Sequence, residues 1–220
     1  MGGTVLPNGP DATPHEAGGR LCLGMVNSVI WRRSDAPIET VDGYPDLAWL
    51  AGRAGWLPRG ALAAAEAAHP AAAARALDRA LTLREGLYPL FSAVAAGQRP
   101  AAADLALLNE SLAEALGRLT VVATDEGGFE ARWPDPAADP TGRDPGLLDL
   151  PRWQVAASAG ALLTSAERDR IKQCPGERCG WVFVDASRNR SRRWCDSREC
   201  GNRERVRAHY HRTRSVGGPA

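Results

Sequence analysis

A mainly α-helical fold with one small β-hairpin is what this 220-residue chain predicts. Apolar residues recur at helical spacing through most of the chain, and the period turns strand-like in one clear place. Cysteine and positive charge then collect in the last quarter, which marks a second, smaller unit at the C-terminal end. At 44% hydrophobic and 24% charged, the composition supplies enough apolar material for a core and excludes wholesale disorder. No stretch approaches the ~18 uninterrupted apolar residues of a membrane helix. The start, MGGTVLPNGPDATPHEAGG, has neither a basic patch nor an apolar run, so residues 1–18 read as a disordered lead-in rather than a secretory signal.

LCLGMVNSVIWRR, residues 21–33, places Leu21, Met25, Val26, Val29 and Ile30 at helical spacing and predicts one amphipathic helix. Cys22 within it reads as a small buried hydrophobe, and Asn27 is the odd polar residue, a candidate buried hydrogen-bonding anchor. PDLAWLAGRAG, residues 45–55, starts on Pro45 and Asp46 and stops at Gly55. Residues 60–95 form an alanine-rich helical stretch interrupted at Pro70, with Leu77, Leu81, Leu83, Leu87, Leu90 and Phe91 as its apolar stripe. After Pro100 a further helix carries Leu105, Leu108, Leu112 and Leu116 and stops near Gly117. RLTVVATDEGGFEARW, residues 118–133, is β-branched and aromatic around Asp-Glu-Gly-Gly, a hairpin signal. Residues 134–146 are a loop, and residues 150–173 predict a last helix leading directly to Cys174.

The net charge of +1 is a remainder. Residues 165–220 carry 14 basic and 7 acidic groups, whereas residues 1–164 carry 13 basic and 19 acidic ones. The body is therefore acidic and the tail basic. Chemistry in the body is sparse, with no H-E-x-x-H, Walker-type loop, G-x-G-x-x-G or G-x-S-x-G. Arg84 and Glu85 with Asn109 and Glu110 either line a cleft between helices or are ordinary surface groups. Without a nucleophile–base pair at recognisable spacing, the expectation is that the protein is not an enzyme.

The tail carries the stronger signal. CPGERC and CDSREC share one frame, a cysteine pair separated by four residues, and the two pairs are Cys174/Cys179 and Cys195/Cys200. Two pairs joined by a hairpin supply the four soft ligands of a tetrahedral zinc site, with no open position for catalysis. Two disulfides or an iron–sulfur cluster are the rival readings, the former weakened by the lack of an export signal. His209 and His211 are spare beside four cysteines. In GWVFVDASRNRSRRW, Trp181 and Phe183 share one side of a short strand and Val182 and Val184 the other; Trp181 and Trp194 are expected to pack on the metal module. Gly201 relieves crowding where the chain turns into a final helix over GNRERVRAHYHRTR. Knuckle, hairpin, knuckle and helix together make a treble-clef-like zinc finger following an α-helical N-terminal domain, foldable at this size because the metal replaces most of a core.

Cys200-Gly201-Asn202-Arg203 spells the motif of the CGNR zinc finger, and CPGERCGWVFVDASRNRSRRWC resembles the rest of that finger. LCLGMVNSV resembles the opening of the α-rich ABATE domain that precedes the finger in that family, although Gly24-Met25 stands where an Asp-Phe pair is usual. The resemblance implies an ABATE-like domain over residues 19–172, a CGNR-type finger over 173–215 and a flexible C-terminus at 216–220. It also implies structural roles for Gly201 and Asn202, one structural zinc ion, and a cytoplasmic, stress-responsive transcription regulator whose finger binds DNA.

The arginine pattern supplies a physical case for nucleic acid. Arg188, Arg190, Arg192 and Arg193 crowd the segment between the cysteine pairs, and Arg203 and Arg207 share a face of the final helix. The guanidinium fork suits phosphates and guanine edges. The competing expectation is a zinc-stabilised interaction module that docks on the acidic body or on a protein partner without touching nucleic acid. A lone finger on specific DNA also favours a homodimer. The sequence identifies no small-molecule ligand for the N-terminal domain.

Overall fold

The computed structural model describes residues 20–53, 57 and 60–216. The expected disordered lead-in and residues 217–220 of the expected flexible C-terminus lie outside the described residues, as does the predicted stop at Gly55. In chain order the elements are α1 (Leu21–Val26), β1 (Val29–Ile30), β2 (Ile38–Glu39), α2 (Tyr44–Arg53), α3 (Ala63–Ala68), α4 (Pro70–Ala95) and α5 (Ala102–Leu116). They continue with β3 (Thr120–Ala123), β4 (Phe129–Arg132), α6 (Leu150–Thr164), β5 (Ile171–Gln173), β6 (Val182–Val184) and α7 (Cys200–Val216). The fold is mainly α, and its strands form two-stranded antiparallel pairs, β1–β2, β3–β4 and β5–β6.

Buried side chains explain the arrangement. From Leu150 to Ala159 every residue of α6 is buried, so this helix occupies the centre and packs against α1, α4 and α5. Leu83, Leu87, Leu90 and Phe91 of α4 meet it with Leu23 and Met25 of α1. Pro70 opens α4 at its first turn, where a missing N–H costs nothing, and His69 separates α3 from α4. The α5 stripe is rotated from its predicted face: Leu108, Ser111 and Ala115 are buried, while Leu116 is exposed. Among the described residues no helix is long and apolar enough to cross a membrane.

Two predicted helices are shorter than their apolar spacing suggests. The first ends at Val26, because Asn27 turns its side chain toward β6 and the chain then enters β1. The last body helix ends at Thr164; Ser165 accepts from the Glu167 N–H to cap a 3-10 turn, and a strand, β5, runs into Cys174. At the first, bonding to a segment 155 residues away overrides local helical preference; at the second, a serine cap and the β5–β6 hairpin do.

Candidate metal centre

The β5–β6 hairpin encloses the first cysteine pair; it does not connect the two pairs as the sequence suggested. Cys174 leaves β5 with its N–H donating to the Trp181 carbonyl at 2.8 Å, and the Cys179 N–H donates to the Gly176 carbonyl at 3.0 Å, closing the first knuckle. Gly176 lies tightly against the site: a Cβ there would be 3.3 Å from Cys179 Cβ and 3.6 Å from Cys174 Sγ. Gly180, at φ +77°, then reverses the chain into β6. In the second knuckle one carboxylate oxygen of Asp196 accepts from the N–H groups of Arg198, at 2.6 Å, and Glu199, at 3.0 Å. Cys200 then opens α7.

The four sulfurs converge as a metal requires. Each cysteine is buried, and all four Sγ atoms lie within 4.8 Å of one another. The Cys179–Cys195 and Cys195–Cys200 separations are 3.6 Å, close to the ~3.8 Å edge of a tetrahedron built on ~2.3 Å zinc–sulfur bonds. They are far beyond the ~2.05 Å of a disulfide. Charge argues the same way. Hydrogen bonds from Cys179 and Cys195 draw the Cys174 thiol down, and the same bonds push those of Cys179 and Cys195 up; burial pushes Cys200 up. Four thiols this close and this buried cannot all ionise without a cation among them. The set fits one structural zinc ion, with all four ligand positions filled by protein. Cys22 is different: buried beneath α6, its thiol is pushed up to about 12 and stays protonated.

The hydrophobic residues of β6 divide as their alternation predicts. Phe183 packs with the cysteines, together with Trp181 and Trp194, whereas Val182 and Val184 join the core of the body. At Gly201 a Cβ would meet the Trp194 ring at 3.0 Å, so the crowding there comes from that ring. Asn202 is exposed on α7. The finger is stitched to the body by polar contacts as well. Asn27 donates to Val182 O at 2.8 Å and accepts from Val182 N–H at 2.9 Å, and the Trp181 indole N–H donates to Val29 O at 3.0 Å.

The arginines occupy different situations. Arg188, Arg190 and Arg193 are exposed on the segment between β6 and Cys195, with the Arg193 guanidinium over the Trp194 ring. Arg192 turns inward, lying over the Phe183 ring at 4.6 Å and donating to the carbonyls of Trp194 and Cys195. On α7, Arg203 stacks on Trp31 at 4.0 Å and Arg207 pairs with Glu177. In the body, Arg84 is buried against Ser28, Glu39 and Glu85, and Glu85 also pairs with Arg32. Asn109 and Glu110 are exposed on α5, as surface groups, and among the described residues share no hydrogen bond with that group.

Sequence reasoning passed over the residues that shape the arginine segment. Asp185 is fully buried; it accepts from Lys172 Nζ at 2.6 Å, from the Ser187 N–H and hydroxyl, and from the Arg192 N–H at 3.0 Å. Burial opposes its charge, yet the bonds from Lys172 and Ser187 outweigh that and hold its carboxyl down at about 2. Lys172 also donates to the carbonyls of Arg190 and Arg192, and Arg170 donates to those of Asp185 and Ser187. The available signal was the only lysine in the chain, Lys172, placed two residues before a ligand.

Two family models match the chain in order. Residues 19–166 match the ABATE model, described as "Putative stress-induced transcription regulator", and residues 170–213 match the CGNR zinc finger. No curated protein matches. The first match covers well over half of the chain, and with the cysteine cluster in the second match it supports one conclusion: the chain belongs to the ABATE family and carries a C-terminal CGNR zinc finger.

Proposed function

We propose that this protein is a non-enzymatic, cytoplasmic transcription regulator that binds DNA through the arginine segment of its zinc finger. One observation carries the reading. Arg188 and Arg190 stand exposed, without an ion-pair or side-chain hydrogen-bond partner among the described residues, on a segment whose backbone is pinned by Asp185, Lys172 and Arg170. Pre-ordered arginines lose little entropy on meeting phosphates. Arg193, and the exposed Arg203 and Arg207 at the start of α7, extend the cationic surface; Arg192 serves by building the segment. The protein ligands fill the metal's coordination, so the ion acts by ordering this surface. The family's description supports a stress-linked regulatory role.

The second reading, an interaction module docked on its own body, has the Asn27–Val182 and Trp181–Val29 contacts in its favour. Those contacts use β6 and Trp181 and leave Arg188, Arg190 and Arg193 exposed. The test is fluorescence anisotropy of zinc-loaded protein on a mixed-sequence DNA duplex across a salt series. Binding should weaken steeply with salt, and the Arg188→Gln/Arg190→Gln double variant should weaken it about tenfold and reduce the log–log salt slope by ~2. Salt-insensitive binding, or equal binding by the variant, favours the interaction module instead.

A further inference from the structure

The β3–β4 hairpin presents its apolar face to solvent. Its register sets Val121 opposite Ala131 and Ala123 opposite Phe129, so these four side chains share one face. Val121 is 74% and Phe129 79% exposed on that face, whereas the other face carries half-buried Val122 with Glu130 and Arg132. All four residues of β4 are exposed. A two-stranded hairpin is marginal in water and gains stability from further strands. Among the described residues no third strand pairs with this one.

The free edge of β4 is complementary to itself. The Thr124 N–H donates to the Gly128 carbonyl at 2.9 Å, so by alternation Glu130 and Arg132 turn their backbone groups toward β3, and Phe129 and Ala131 turn theirs outward. Among the described residues no other backbone group meets those of Phe129 and Ala131. An antiparallel copy of the strand centred on Ala131 sets Ala131 against Ala131 as a hydrogen-bonded pair, and sets each Glu130 opposite Arg132 of the other chain. Centring on Glu130 would instead oppose two carboxylates. Self-pairing of β3 about Val121 opposes Thr120 to Val122 and gains no charge match. Within one chain Glu130 and Arg132 pair with each other, an exposed contact that contributes little and is readily exchanged.

We propose that two copies of this chain associate by pairing β4 with β4, antiparallel about Ala131, into a four-stranded sheet with two-fold symmetry. The axis runs perpendicular to the sheet, so both apolar faces lie on the same side. The Phe129 ring of each copy then reaches diagonally over Ala131 of the other. Each β4 edge is consumed by the other, which stops assembly at the dimer.

Sedimentation equilibrium of zinc-loaded full-length protein tests the interface, without nucleic acid and so independently of the DNA reading. The mean mass should rise from one chain toward two with a Kd of about 1–100 μM. Glu130→Arg and Arg132→Glu each place like charges opposite one another at both pairs, and each should weaken self-association at least about tenfold. An equimolar mixture of these two variants restores opposite charges at both pairs and should dimerise within about threefold of wild type. Ala131→Pro removes an N–H that the hairpin itself does not use, and should abolish association while leaving the far-UV circular dichroism unchanged. A protein still monomeric at ~100 μM, self-association unmoved by these variants, or a mixture no better than its two components overturns the proposal.

Discussion

Asn27 commits both ends of its amide to the backbone of Val182, one donating and one accepting, in a buried setting. Replacing it with alanine strands a peptide N–H and a carbonyl away from water, and urea denaturation of Asn27→Ala should show a loss of about 2–4 kcal/mol. The sequence singled out Asn27 as a polar residue on an apolar stripe, which is what made it conspicuous, but its partner lies 155 residues away and no local pattern reveals it. Asp185 was not conspicuous at all, because an aspartate after a strand reads as a turn residue. Its carboxyl sits at about 2 against an ordinary 3.8, so the unfolded chain takes up the proton first as pH falls. The stabilisation is full above about pH 4 and is lost between about 4 and 2. Asp185→Asn should cost about 2 kcal/mol near neutrality and speed tryptic cleavage after Arg188 and Arg190. In acid denaturation, where thiol protonation affects both proteins alike, the gap between wild type and variant should close over the same pH window.

At the scale of elements, helices bounded by proline or glycine were readable in extent, as α4 and α5 show, although the buried face of α5 was not. The hairpin β3–β4 was readable too, from Asp125-Glu126-Gly127-Gly128 between β-branched and aromatic residues. The ends of α1 and α6 were not: α1 stops where Asn27 bonds the backbone of Val182 in β6, and α6 stops where Ser165 caps a 3-10 turn before β5 pairs with β6. Packing of the 134–146 loop was equally hidden. Gly142, at φ +64°, crosses so close to α3 that a Cβ would lie 2.4 Å from the Ala65 backbone nitrogen. Gly142→Ala must therefore adopt a left-handed conformation and displace backbone, and thermal unfolding should report a loss of about 3 kcal/mol. Phe129 on the β3–β4 hairpin provides the contrast: at 79% exposed in the single chain, its replacement by serine should change the stability of the monomer by less than ~0.5 kcal/mol.

Over the whole molecule, the zinc site and the body share a wall. Ile171, Val182 and Val184 belong to the body core, while the intervening Phe183 belongs to the cysteine cluster. Stripping the metal should therefore do more than unravel the finger. Scanning calorimetry of the full chain should give one transition with zinc, and a chelator should lower its midpoint by several degrees rather than melt the finger alone. A separate low-temperature transition after chelation, with the body's midpoint unmoved, would contradict this. The division into an acidic body and a basic, cysteine-bearing tail was plain in the sequence; their common core was not, because charge and cysteine patterns say nothing about which face of a three-residue strand is buried where. The same strand also sets a timetable for synthesis. α1 is among the first described segments to leave the ribosome, yet Asn27 has no Val182 to hold until β6 follows it out. Helices α2 to α6 are thus made before the last strand of their own core, and the nascent body must wait, incompletely closed, for the segment that carries its metal ligands.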